Sequence, residues 1–217
     1  KETLKRLTKL SKYIENSLFK DNESIWIAQK EGRANDGNDF SDVAVLKMLY
    51  LSKRKELSFP EWIKTINIIP VSISYEYDPL DIIKASGWDH HEKMSLEEIN
   101  ESDLQELAKG LFGDKGRVHL HICKPVDFDG DDIEEFSTKI EQDILSNYKI
   151  WPSSHIAAKE LSISDSAFNY FDESQIDLSQ ESKFLNRFDG IEEKVRKECL
   201  ETYARPIFNK KKARGEL

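Results

Sequence analysis

Glu31, Gly32 and Arg33 stand together directly behind an apolar run, Ile25-Trp26-Ile27-Ala28. An arginine carries a planar fork of donors that matches a phosphate or a carboxylate. Gly32 lets the backbone come close to a ligand, and Glu31 can hold the arginine or the loop amides in place. Asn35-Asp36-Gly37-Asn38-Asp39 follow as a cluster of turn formers. An apolar run ending in such a charged turn reads as a buried strand that presents charges at a sheet edge. The plainer reading is a strand end carrying a solvated ion pair.

Other chemistry-bearing clusters are weaker. His119, His121 and Cys123 alternate, so all three fall on one face of a strand, a donor set that zinc accepts. Ligands so close along one strand are poorly placed for a tetrahedron, so a polar or helix-covered sheet face is expected and no metal site is assigned. His90-His91 reads as surface. Asp127, Asp129, Asp131 and Asp132 surround Gly130 but lack the downstream glutamate of a calcium loop. The nucleophile elbow, the Gly-Lys-Ser/Thr phosphate loop and the dinucleotide fingerprint are absent from the sequence.

Periodicity supplies the elements around these residues. Leu4, Leu7, Leu10, Ile14 and Leu18 predict a helix over about 2–19, one face of which packs on a sheet. Ser41 or Asp42 caps a second helix, 43–54. Ser58-Phe59-Pro60-Glu61 opens a short one, with proline in its first turn. Residues 67–75 read as a strand interrupted at Pro70, which cannot donate to a ladder and belongs at an edge or bulge. Helices are expected over 78–86, from the Ser95 capping box to Phe112, and over 131–148. Between the last two, 117–125 alternates as a strand, with Val118, Leu120 and Ile122 on the face opposite the histidines. Helices near 155–161 and 180–203 and a basic tail, Lys210 to Arg214, complete the chain. The expected fold is α/β, a mixed sheet flanked by helices, with residues 1–151 as one domain and 152–217 as a helical extension.

Composition narrows the partners. The 217 residues carry a net charge of −9, which argues against nonspecific binding to nucleic acid, whose phosphates demand a cationic face. Cys123 and Cys199 are far apart and suggest a reducing compartment rather than a disulfide framework. No apolar run approaches the 18 or so residues that span a bilayer. The chain opens on Lys1 already inside an amphipathic helix, so an upstream segment of a larger protein is expected.

Two motifs in this order resemble the phospholipid/glycerol acyltransferase superfamily, whose members acylate glycerol phosphate and lysophospholipids. The first is the apolar run leading into Glu31-Gly32, similar to the family's strand ending in Phe-Pro-Glu-Gly-Thr-Arg-Ser. The second is Ile69-Pro70-Val71-Ser72-Ile73, similar to its Val-Pro-Val strand, with a helix between the two. The likeness spans about residues 1–78, is loose over 117–151 and is nearly absent beyond. Lys30 replaces the family's proline, Arg33 stands one place early, and both hydroxyls are lost to Ala34 and Asn35. The family's catalytic His-x-x-x-x-Asp appears nowhere in these residues; His155 with Glu160 has the spacing but lies on the wrong side of the Glu-Gly loop.

The resemblance implies acyl transfer from coenzyme A or acyl carrier protein to a glycerol-phosphate or lysophospholipid acceptor. Glu31, Gly32 and Arg33 would bind the acceptor, the Pro70, Val71, Ser72 strand would support the site, and the His/Asp base is expected upstream. No metal or redox cofactor is implied. A cytoplasmic protein with peripheral contact at the inner face of the membrane is expected. The alternative is a non-catalytic anion- or lipid-binding α/β module.

Overall fold

The computed structural model describes residues 2–30, 37–38, 40–86 and 96–217, with the side chains of 96–103 excepted. Its elements are α1 (Glu2–Phe19), α2 (Val43–Tyr50), α3 (Phe59–Ile63), β1 (Val71–Tyr75), α4 (Asp81–Ala85), α5 (Leu96–Phe112), β2 (Val118–Ile122), α6 (Ile133–Ser146), α7 (Pro152–Ser162), α8 (Leu178–Leu185) and α9 (Glu193–Ala213). Short 3-10 turns occupy Ser166–Phe168, Glu173–Gln175 and Asn186–Phe188.

The expected α/β fold with a mixed sheet is not what forms. The described residues are mostly helical, and their one sheet has two strands, β1 and β2. The run Ile25–Ala28 takes no ladder partner, and Trp26 is 69% exposed. β-propensity measures how a side chain fits a half-buried pleated surface, so an apolar run without a neighbouring strand stays unpaired.

The chain divides into two compact units. The first comprises 1–33, 39–71 and 122–144, the second 34–38, 72–121 and 145–217.

In the first unit the second half of α1 lies on α2. Ser11 is buried because its hydroxyl donates to the Leu49 carbonyl and accepts from the Ser52 amide, both at 2.9 Å. Ile14 packs beside it, and Lys53 reaches Glu15 at 2.8 Å. Ser58 and Glu61 form a reciprocal capping box at α3. The core is aromatic: Phe136 of α6 meets Phe59 and Phe128, and Phe59 meets Tyr50 and Trp62.

In the second unit α7 and α9 pack through small residues. Ala157, Ala158 and Ala204 are buried beside Cys199 and Leu200, and Phe184, Phe188, Tyr77 and Tyr203 close the core. Pro152 begins α7 instead of breaking it, because an N-terminal position needs no N–H. α9 runs through Pro206 to Ala213, so the basic tail is helical. Lys210 donates to the Tyr148 carbonyl at 2.7 Å and Arg214 to that of Ser146 at 2.9 Å, which ties it down.

Candidate functional site

Glu31, Gly32 and Arg33 lie outside the described residues, so the site is built from what flanks them. The Asp42 amide donates to the Gln29 carbonyl at 3.0 Å and closes the excursion 30–41 at its base. Asp42 then caps α2, accepting from the Ala44 amide at 2.8 Å. Ser41 is held by Glu141 of α6, whose carboxylate accepts its amide at 2.7 Å.

An open cleft of about 430 Å³ sits beside this closure, with Lys30 and Phe40 from the loop ends and Glu134, Thr138 and Glu141 from α6 among its lining. Among the described lining residues the carboxylates of Asp42, Glu134 and Glu141 outnumber the one lysine, so binding a phosphate there requires cations from the loop itself. Glu134 is already engaged by Lys47 at 3.2 Å.

Within the second unit the loop residues Gly37 and Asn38 rest on α9. Pro206 supplies no N–H, so the carbonyl of Thr202, one turn earlier, loses its helical donor. Gly37 packs onto that carbonyl: it has φ +73°, and a Cβ there would come within 2.4 Å of the Thr202 oxygen. Asn209 donates to the Asn38 side chain at 3.2 Å. The turn-former cluster signalled Gly37; nothing local in the sequence signalled Thr202, Pro206 and Asn209 as its seat.

Of Pro70, Val71 and Ser72, the expected supporting strand, Pro70 precedes β1 and the other two begin it. The Pro70 carbonyl accepts from the Cys123 amide at 2.9 Å, and lacking an N–H it returns no bond. Val71 opens β1, half-buried, and Ser72 is 1% exposed. The flanking bonds, Cys123 to Pro70 and Glu76 to Arg117, set an antiparallel register with Ser72 opposite His121 and Ser74 opposite His119.

The ladder is turned opposite to the usual amphipathic arrangement. Ser72, Ser74 and Glu76 are buried, and His119 and His121 are half-buried, while Val118, Leu120 and Ile122 are more than half exposed. The hydroxyls of Ser72 and Ser74 and Nδ1 of His119 are buried without a partner. A serine nucleophile needs a base within hydrogen-bond reach and a route for substrate; these hydroxyls have neither.

What the polar face does is hold an ion pair. Glu76 accepts from the Arg117 side chain at 2.8 and 2.9 Å and from the Arg117 amide at 3.0 Å. Arg117 lies over the Trp151 ring at 4.9 Å, and Ser153 of α7 donates to the Glu76 carbonyl at 2.7 Å. Gly116 is required at this turn, because with φ +57° an added Cβ would meet the Glu76 carboxylate at 2.8 Å.

The hydrogen bonds from Arg117 hold the Glu76 carboxyl below its ordinary range, against the opposing effect of burial. A folded pKa below the unfolded one stabilises the fold fully above the ordinary glutamate value and less as pH falls through the folded value. The acid limb of the stability curve is therefore expected to be flatter in Glu76→Gln, measured by urea unfolding across a pH series. Parallel curves for the two proteins would refute this coupling.

The pair His155 and Glu160 is not a catalytic dyad. Nδ1 of His155 accepts the Asp172 amide at 3.1 Å, Glu160 is bound by Arg196 at 2.6 Å, and burial lowers the imidazole pKa despite Asp172. Among the described residues no three His, Cys, Asp or Glu side chains gather as a metal site, and no described helix is long and apolar enough to cross a membrane. No protein-family model, curated protein or solved structure matches this chain.

Proposed function

We propose that this chain is the acceptor-binding part of a glycerophospholipid-type acyltransferase working at the inner face of a membrane. The observation that carries the reading is one of order: an apolar run, Glu31-Gly32-Arg33, a helix at 43–50, then a strand opened by Pro70-Val71. In the reaction an acceptor hydroxyl attacks the carbonyl of an acyl thioester. A histidine base takes the hydroxyl proton, the acyl group passes to that oxygen, the carbon–sulfur bond breaks, and the departing thiolate receives the proton back from the histidine and leaves as the thiol. Arg33 would hold the acceptor's phosphate, and the base would come from the family's His-x-x-x-x-Asp, which these 217 residues do not contain.

The test is transfer from acyl-coenzyme A or acyl carrier protein to a panel of phosphorylated glycerol acceptors by the polypeptide of the complete reading frame. Arg33→Ala is expected to raise the half-saturating acceptor concentration about ten- to a hundredfold, the worth of one charge-assisted hydrogen bond, with kcat changed less. Unchanged acceptor saturation would remove Arg33 from the site. The missing histidine motif favours a second reading, an anion- or lipid-binding module without chemistry. Glycerol phosphate binding by a complete protein that never transfers acyl groups would establish it.

A further inference from the structure

The first two turns of α1 carry an apolar stripe that no described residue of the first unit covers. Leu4, Leu7 and Leu10 are 48%, 37% and 44% exposed, whereas Ser11, Ile14 and Ser17, on the same side of the helix further along, are buried. Among the described residues the helix is fastened by its second half, through Ser11 to Leu49 and Ser52, and through Glu15 to Lys53. From Leu4 to Leu10 the bare stripe runs about 9 Å along the helix axis.

Charge indicates what covers it. In a chain of net charge −9, α1 carries Lys5, Arg6, Lys9 and Lys12 against Glu2 and Glu15. All four bases are exposed; Lys5, Lys9 and Lys12 lie across the helix from the leucines, and Arg6, paired with Glu2 at 2.7 Å, flanks them. A helix with an apolar stripe and a basic opposite face, too short and too charged to span a bilayer, is built to lie in an anionic lipid interface. The flanking bases can extend along it towards the headgroups. The second bare stripe, Leu104, Leu107 and Leu111 of α5, makes the contrast. Its helix holds Glu97, Glu98, Glu101, Asp103 and Glu106 in sequence against the single base Lys109, a net negative charge that an anionic surface would repel.

We propose that α1 docks the protein onto anionic membranes, with Leu4, Leu7 and Leu10 in the headgroup–acyl boundary and the lysines drawing it there. This does not depend on the acyl-transfer reading, since docking requires no acceptor site. The test is cosedimentation of the whole chain with vesicles of phosphatidylcholine alone or mixed with phosphatidylglycerol, beside size-exclusion chromatography with light scattering. Binding is expected to the mixed vesicles and to fall about tenfold or more on neutral ones and in about 0.5 M salt. Leu7→Glu and the double variant Lys5→Glu/Lys9→Glu alter exposed positions, so circular dichroism should be unchanged while partition falls about tenfold or more.

Three results would overturn the proposal. These are no binding to the mixed vesicles, equal binding to neutral ones, or binding that Leu7→Glu leaves intact. A concentration-dependent dimer abolished by Leu7→Glu, without vesicle binding, would assign the stripe to a second copy of the chain instead.

Discussion

Asp81→Ala is expected to destabilise the second unit by about 3–5 kcal/mol, the cost of removing one partner from a buried ion pair. The Asp81 carboxylate is 5% exposed, and one oxygen accepts from both Arg187 and the Tyr203 hydroxyl, each at 2.8 Å. Its other oxygen accepts the Ile82 amide at 2.8 Å. The Tyr203 hydroxyl in turn accepts the Asp78 amide at 2.7 Å, which makes it the link between α9 and the start of α4. Burial, reinforced by the carboxylate of Asp81, holds the Tyr203 pKa well above that of a free phenol, so it stays a neutral donor.

Without the carboxylate, Arg187 keeps its charge over the Tyr77 ring at 4.8 Å and loses its counter-charge. Tyr203→Phe removes only the hydroxyl and should cost about 1–3 kcal/mol. Replacing both members, Asp81→Leu with Arg187→Met, should cost less than the single change, because no buried charge is left behind. Urea unfolding followed by circular dichroism measures all three. A loss below about 1 kcal/mol for Asp81→Ala would mean that Arg187 turns to solvent and the pair is not structural.

None of that network was visible in the sequence, because it joins residues 78–82 to Arg187 and Tyr203 more than a hundred positions on, and each has an ordinary surface interpretation. Local pattern served better. The leucine spacing predicted α1 over 2–19, although its covered face meets α2 and not a sheet, and the alternation of Val118, Leu120 and Ile122 predicted a strand over 117–125, of which β2 takes Val118–Ile122. Alternation tells which side chains share a face but not which face is covered. Here it is the polar side that is covered, with Ser72 and Ser74 buried and Arg117 lying over the Trp151 ring. The C-terminal end was misjudged: one helix was expected over about 180–203, and two form, α8 and α9, parted at 186–192. α9 continues past Pro206, and the carbonyl that the proline leaves without a donor becomes the surface on which Gly37 packs. At the candidate site itself, the strand opened by Val71 was legible from Pro70, whereas the seat of the loop on Thr202 and Asn209 was not. Ile25–Ala28 misled as well, since a β-prone run acquires its strand only from a neighbour.

Phe136→Ala should have an effect as large in the first unit, about 3–5 kcal/mol, by a different mechanism: lost burial plus the cavity that remains. Phe136 is 1% exposed on α6. Its ring meets Phe59 edge-on at 5.9 Å and Phe128 at 5.1 Å, and Phe59 in turn meets Trp62 at 5.8 Å and Tyr50 at 5.7 Å. Removing the ring takes the central member from an aromatic cluster whose other members come from three separate segments, so no single neighbour can move in to fill the space. Phe136→Leu keeps most of the volume and should cost clearly less. Because Trp62 lies within this cluster, near-UV circular dichroism reports on it directly, and its signal should collapse at a lower urea concentration in the alanine variant. A midpoint shifted equally by leucine and alanine would show that ring geometry, not filled volume, holds the cluster together. No shift in either would mean that α6 is held by its polar contacts to Ser41 and Lys47 instead.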